Sequence, residues 1–290
     1  INCYKISIIF TFMETQILIS IPVYKESENI LKLINEITEY CPQADILIIN
    51  DLSNDSTPEI IEKINNKKIK YIERPFKMGL GTAHKLSMLF AIKNHYNYLI
   101  TMDGDFSHEP KEIPNLIEDI KPGQFIIGSR FCSNGKSDYQ GIRKIVSNLG
   151  NIVARTFLNI KLKELTTYYR VYEVNSLKKL PFNELNAEGY SLGVRVIWLL
   201  NKLKINLIEK PIHFKVRNKG KSKIPKFQIF VSIYDLIIMK FKDIFLNQKF
   251  YFGDNNTYNF ILKCENCNNS LLTLVKKKKF KCLVCGKNNS

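Results

Sequence analysis

The sequence predicts an α/β fold: a Rossmann-like, mainly parallel sheet with helices on both faces, followed by a small C-terminal module built on four cysteines. Three observations predict it. From residue 15 onward, short runs rich in Ile, Leu and Val alternate with stretches whose apolar residues recur at helical spacing. The strand-like runs are almost continuously apolar, as strands buried on both faces must be. Residues 261–290 then break the pattern with "CENC" and "CLVC".

The elements follow in order. "TQILISIPVY" (15–24) reads as the first strand, and "SENILKLINEITEY" (27–40) as the helix after it. "ADILIIND" (44–51) is the second strand, and "STPEIIEKI" (56–64) a helix opened by a Ser/Thr cap and a proline in its first turn. "KIKYIERP" (68–75) is the third strand, with a helix over 79–96. "NYLITMDGD" (97–105) is the fourth, with a helix started near Pro110, and "GQFIIGSR" (123–130) the fifth. Residues 141–160 and 189–203 read as helices and "KINLIEKPIHF" (204–214) as strand.

Residues 226–246 form a helix of another kind. Ser232, Asp235, Lys242 and Asp243 share about 100° of arc, and most other positions are apolar. Its wide apolar face and basic flanks suit a membrane interface or packing on the core, and the preceding "KVRNKGKSKIPK" favours the interface. No window is long and apolar enough to predict a transmembrane span. The expected divisions are 13–225 for the sheet domain, 226–246 for the interfacial helix, 247–260 for a linker and 261–290 for the cysteine module. Residues 1–12 precede the first methionine and carry no functional reading.

The charge is polarised. Positions 1–209 hold 26 basic and 23 acidic residues, whereas 210–290 hold 17 and 4. The basic end calls for a polyanionic partner such as a phospholipid surface, a polyprenyl phosphate or nucleic acid. Of seven cysteines, Cys3, Cys41 and Cys132 stand alone, which speaks for a reducing compartment and against a disulfide framework. Cys264, Cys267, Cys282 and Cys285 form CxxC–x14–CxxC, the spacing of a closed structural zinc ribbon. "KKKK" (276–279) between the pairs is either a phosphate contact or a solvated hairpin tip.

The fourth strand ends in Asp103, Gly104 and Asp105, where open α/β sheets bind their ligands. Two carboxylates so placed suit a hard divalent cation, Mg²⁺ or Mn²⁺, completed by water and substrate phosphate.

Together "IPVYKESENI", "INDLSNDST", "KMGLGTAH", "TMDGDFSHEP" and "GSRF" resemble, in order and spacing, the family 2 glycosyltransferases of the GT-A fold. The resemblance covers roughly residues 16–224 and is strongest to the polyprenyl-phosphate branch of dolichol-phosphate mannose synthases. It implies that Pro22, Tyr24, Glu26, Ile49 and Asp51 border the nucleotide. Asp103 and Asp105 would hold the metal, with Gly104 allowing close approach of the diphosphate. Arg130 would touch substrate phosphate, and Arg217 and Lys223 would clamp donor or acceptor phosphate. The implied activity is inverting transfer from a nucleotide sugar, GDP-mannose first and UDP-glucose next, to a polyprenyl or dolichyl phosphate at the cytoplasmic face of a membrane. Contact with the membrane would be peripheral, with a small membrane-embedded subunit as an additional partner.

The chain departs from the family pattern in several places. Asn50 replaces the first of two paired acids, Glu164 conservatively replaces the family's acidic residue before "LT", "TTYYR" (166–170) replaces a glycine-containing segment, and Arg195 a glutamate. These changes bear on the acceptor and the sugar. The other readings are a relative that glycosylates a glycan or protein, and a non-catalytic protein whose ribbon and lysines hold nucleic acid. Retention of both aspartates and of Arg130, Arg217 and Lys223 weighs against the last, so nucleic acid is not an expected partner.

Overall fold

The computed structural model describes residues 15–182, 185, 189–216, 228–245, 261–263, 270–272, 280–281 and 288–289. The chain runs β1 (Ile17–Val23), α1 (Ile30–Tyr40), β2 (Asp45–Asn50), α2 (Thr57–Glu62), β3 (Ile69–Glu73), α3 (Leu80–Lys93) and β4 (Tyr98–Thr101). A 3-10 turn at Pro110–Glu112 leads into α4 (Ile113–Ile117), followed by β5 (Gln124–Ser129), β6 (Lys136–Ser137) and α5 (Gly141–Leu158). Then come β7 (Arg170–Glu173), α6 (Val174–Leu177), α7 (Gly189–Lys202), β8 (Asn206–Pro211), β9 (His213–Phe214) and α8 (Gln228–Phe245). Two antiparallel pairs close the chain: β10 (Ile261–Lys263) with β11 (Ser270–Leu272), and β12 (Phe280–Lys281) with β13 (Asn288–Asn289).

Seven strands form one sheet in the order β3-β2-β1-β4-β7-β5-β8. All its pairings are parallel except those of β7, which runs antiparallel to both β4 and β5. The expected mainly parallel sheet is therefore present, with one strand that the periodicity did not reveal. Alternation places Leu18, Leu47 and Leu99 in the core on one face, and Ile19, Ile21, Ile46 and Ile100 in the core on the other. From β1 the chain winds outward through β2 and β3, then returns to β4 on the other flank. The carboxyl ends of β1 and β4 thus frame the switch point at which such sheets bind ligands.

The helices follow the sequence reading with shorter ends. In α1, Ile30, Leu33, Ile34 and Ile37 bury one face at i, i+3, i+4 and i+7. On α3, His84 is fully buried, and among the described residues neither ring nitrogen meets a hydrogen-bond partner. Its ring stacks on Tyr168 with centroids 3.8 Å apart. Burial, then the charges of Arg170, His108 and Arg74, hold its pKa well below the ordinary imidazole value.

An unfolded chain therefore gains a proton at this residue below about pH 6.5 that the folded chain refuses. Stability should fall as pH drops through that value, by about 1.4 kcal/mol per pH unit from this group. His84→Phe keeps the stack and removes both nitrogens, so it should flatten that part of the acid slope. Melting curves of both chains from neutral to mildly acidic pH check it, and identical slopes would count against it.

Helix α8 packs against α5 and α7. Met239 is buried, and Lys240 Nζ lies 5.9 Å from the Phe157 ring of α5. Asp235, from the polar arc, turns inward: its Oδ1 lies 3.4 Å from Nη2 of Arg195 on α7. Arg195 thus finds its counter-charge forty residues downstream in sequence. The outward side of α8 carries Tyr234, Ile237, Phe241 and Ile244, all more than half exposed. Among the described residues, no helix is long and apolar enough to cross a membrane. Arg217, Lys223, the linker 247–260, residues 276–279 and the four cysteines 264, 267, 282 and 285 lie outside the described residues.

Candidate active site

Three loops meet at the switch point, after β1, β2 and β4. Each contains a non-glycine residue in the left-handed region: Lys25 (φ 58°), Leu52 (φ 51°) and Phe106 (φ 61°). Such backbone persists where surrounding contacts over-determine it. Here those contacts come from the β2 loop. Successive N–H groups of Lys25, Glu26 and Ser27 donate to Ser53 Oγ (2.7 Å), Thr57 Oγ1 (3.1 Å) and Asp55 Oδ2 (3.2 Å). Against the cost of its partial burial, hydrogen bonds from Thr57 and Ser27 hold the Asp55 carboxyl below its usual range.

Asn50, where the family pattern has an acid, is fully buried. Its Nδ2 donates to Tyr71 Oη (3.0 Å) and Glu73 Oε1 (3.3 Å), and its Oδ1 accepts from Ser53 N (3.1 Å) and Oγ (2.6 Å). An aspartate would lose both donors and place a second charge beside Glu73, so the amide is the residue this pocket accepts.

Asp51 is 6 % exposed; its carboxylate pairs with buried Arg74 and accepts from Gly79 N at 2.9 Å. Burial outweighs the attraction of Arg74 and leaves this carboxyl above its usual range. The pair ties the end of β2 to the start of α3. Pro22 and Ile49 are register partners on β1 and β2; Ile49, expected to border the nucleotide, is instead fully buried, its side chain in the core and its strand paired with β1 and β3 on either side. Tyr24 is half-buried at the mouth, with Lys77 Nζ 4.3 Å from its ring centroid.

The acidic turn after β4 is pinned from beneath. Asp103 N donates to His108 Nδ1 at 2.9 Å, and His108 Nε2 lies 2.9 Å from Thr167 Oγ1. Because Nδ1 accepts, the proton of neutral His108 is on Nε2 and is donated to the threonine. Burial lowers the His108 pKa to about 3, with Asp105 opposing and Arg130 and Arg170 adding to the shift. The Asp103 side chain is 28 % exposed, whereas Asp105 is buried and its Oδ1 accepts from Ser107 N at 3.0 Å. A Cβ on Gly104 would lie 3.2 Å from Val23 Cγ1 and 3.6 Å from Glu26 Cγ, so the glycine lets this turn seat against the end of β1.

Beyond β5, Arg130 Nε donates to Glu164 Oε2 at 2.7 Å and its Nη2 to Thr166 Oγ1 at 3.1 Å. Two of the five guanidinium donors are thereby used within the protein. Arg130 also borders a cavity of about 580 Å³ whose walls include Lys136, Tyr139, Lys144, Asn148 and His213. The parallel pairing of β6 with β9 assembles this wall. On its rim His213 Nε2 lies 2.6 Å from Asp138 Oδ1.

The altered "TTYYR" segment finds its partners here. Thr166 and Thr167 donate main-chain N–H groups to Glu164 Oε1 (2.9 and 3.2 Å), Tyr168 stacks on His84, and Tyr169 stacks on His108.

The structure thus places Pro22, Tyr24, Glu26, Asp51, Asp103, Gly104, Asp105 and Arg130 at the carboxyl ends of β1, β2, β4 and β5. Sequence reasoning passed over Ser53, Asp55, Thr57, Arg74, His108, Lys136, Lys144 and His213. His108 lay in view inside "DFSHEP", five residues beyond the first acid.

A profile described as "Glycosyl transferase family 2" matches residues 18–181. An undecaprenyl-phosphate mannosyltransferase of Micrococcus luteus is 28 % identical over 212 residues, covering 72 % of this chain and 87 % of that protein. A polyprenol monophosphomannose synthase of Mycolicibacterium smegmatis is also 28 % identical over 212 residues, covering 71 % and 80 %. Among solved structures, glucosyl-3-phosphoglycerate synthase from Mycobacterium tuberculosis, in complex with Mn²⁺, UDP-glucose and phosphoglyceric acid, superposes with a TM-score of 0.56 at 17 % identity, covering 78 % of this chain and 80 % of that one. At that identity the likeness concerns the fold.

Proposed function

The chain belongs to glycosyl transferase family 2, and from that membership we propose that it moves mannose from GDP-mannose to a polyprenyl or dolichyl phosphate at the cytoplasmic face of a membrane. The observation that carries this reading is the placement of two oppositely charged features along one sheet edge. An acidic turn follows β4, and a cavity walled by Arg130, Lys136, Lys144 and His213 lies beyond β5. The names of the two bacterial relatives support the acceptor class.

Asp103 and Asp105 offer hard oxygen donors on one turn, a set that fits Mg²⁺ or Mn²⁺ completed by diphosphate and water. When bound, such an ion neutralises charge on the leaving diphosphate. Pro22, Tyr24, Glu26 and Asp51 border the nucleotide.

The acceptor phosphate is already anionic, so holding it in line matters more than removing a proton from it. Arg130, Lys136 and Lys144 supply the counter-charge. Arg217 and Lys223 add to it. Lys215, two residues before Arg217 in sequence, lies beside the acidic turn: its N–H donates to Ser107 O (3.2 Å) and its Nζ pairs with Glu109 (2.7 Å).

The lipid tail has an adjacent path. Lys144 and Asn148 of α5 line the cavity, while Ile145, Leu149 and Val153 of the same helix are more than half exposed. With the outward face of α8 they make an apolar surface suited to the lipid interface. Exchanging Ile145 and Leu149 together for Glu should reduce partition onto anionic vesicles about tenfold or more without altering the melting temperature. Vesicle flotation of the purified chain checks this. Strong flotation of the unaltered chain would also make a membrane-embedded subunit unnecessary for contact.

The four ribbon cysteines form a closed structural Zn²⁺ site in this reading. In sequence, each CxxC falls between two strands that pair antiparallel, which supports two metal knuckles.

The reaction is tested by incubating the chain with radiolabelled GDP-mannose or UDP-glucose, Mn²⁺ and a polyprenyl phosphate. Label should enter the organic phase from the GDP-sugar. Turnover with no extractable label would reject the lipid acceptor, and label from UDP-glucose alone would reassign the donor.

A further inference from the structure

We infer that His108 and Thr167 are positioning residues, a buried strut that fixes the spacing between the acidic turn and Arg130. The inference deepens the proposed function and rests on reading Asp103 and Asp105 as the metal–diphosphate turn. The connection is continuous. Asp103 N donates to His108 Nδ1 (2.9 Å), His108 Nε2 bonds Thr167 Oγ1 (2.9 Å), Thr167 N donates to Glu164 Oε1 (3.2 Å), and Glu164 Oε2 receives Arg130 Nε (2.7 Å). His108 and Glu164 are fully buried, Thr167 is 4 % exposed and Arg130 8 %.

The strut is braced on both sides. Tyr169 stacks on the His108 ring at 4.8 Å, and its N–H donates to Thr167 Oγ1 at 3.2 Å. Phe214 meets the same imidazole edge-on at 5.5 Å and also lies 4.7 Å beneath the Arg130 guanidinium. The Tyr169 hydroxyl donates to Glu109 O at 2.7 Å, closing the far end of the turn. Of these groups only Arg130 lines the cavity beyond β5. Their arrangement serves to hold two separate charged features, one for each substrate, in a constant relation. A reaction between two polyanions depends on that relation, since displacement of about 1 Å at a remote support costs about a hundredfold in rate.

Thr167→Val removes the hydroxyl at nearly constant volume and leaves the His108 Nε2–H without its acceptor. Thr167→Ser keeps the hydroxyl. In the full chain, the Mn²⁺ concentration that half-saturates GDP binding, read by calorimetry, should rise about tenfold or more in the valine variant, with turnover down about a hundredfold. The serine variant should stay within about threefold of the unaltered chain for both. If the valine variant does not fold, His108→Asn takes its place; it keeps an acceptor near Asp103 N and gives up Thr167, and the same rise is expected.

A valine or asparagine variant with an unaltered Mn²⁺ midpoint would overturn the strut while leaving the metal turn intact. A serine variant as impaired as the valine one would also overturn it, because the loss would then not follow the hydroxyl. Absence of any Mn²⁺-dependent nucleotide binding in the unaltered chain, with GDP or UDP, would overturn the metal turn and the strut together.

Discussion

Asp105→Asn is expected to lower sugar transfer by about a thousandfold or more, and to leave the melting temperature within a few degrees of the unaltered chain. Asparagine is the informative replacement. Asp105 is 4 % exposed and its Oδ1 accepts the Ser107 N–H at 3.0 Å, a bond the amide oxygen can keep. Volume and turn geometry are conserved and the negative charge is removed. An alanine would also empty a buried position and so confound folding with chemistry. The loss should appear in Mn²⁺-dependent nucleotide binding as well as in turnover, because a neutral amide is a poor partner for a hard dication. Asp103→Asn should act in the same direction, since the main-chain N–H that anchors that residue to His108 does not depend on its side chain. Unchanged transfer by Asp105→Asn would remove the metal from the proposal. The fold and the cationic cavity would still need another purpose.

Much of this was legible in the residues. Strands β1, β2, β4 and β5 lie in apolar runs bounded by polar residues, so their ends could be located, and two acids closing such a run mark a ligand edge whatever the family. The rest depended on pairings no local pattern records. Strand β7 is four residues, "RVYE", held by antiparallel neighbours on both sides. Lys136, Lys144 and His213 carry no motif and become one wall only when β6 and β9 pair. The polar arc of α8 was visible, but its direction was set by Arg195 on another helix. Arg130 was found by resemblance, yet its bond to Glu164 shows that part of its donor capacity holds the site together. The sequence leaves open what replaces the missing glycine in "TTYYR". In the folded chain Tyr168 fills that place against His84.

Arg170, the last residue of that segment, should carry the largest stability effect. Its guanidinium is fully buried and bonds neutral oxygens: Thr167 O at 2.6 Å, Leu165 O and Gly193 O at 2.9 Å, and Tyr172 Oη at 3.2 Å. It joins β7, the turn before it and α7. Arg170→Met strips three buried carbonyls of donors and should cost about 3–5 kcal/mol, or about 10 °C of melting temperature for a chain of this size.

Gly193 supplies the sharper test. A Cβ there would lie 2.7 Å from Nη2 and 3.0 Å from Nη1 of Arg170, so Gly193→Ala should cost about 1–3 kcal/mol. The same glycine lies inside α7, where alanine is the better helix former by about 1 kcal/mol. With methionine at 170 the clash is gone and the helix preference remains. Gly193→Ala should therefore change sign, destabilising the natural chain and stabilising the Arg170→Met chain. A double-mutant cycle by denaturant melts reads this directly. Equal costs in the two backgrounds would mean that the glycine is required by α7 itself and not by the guanidinium it faces.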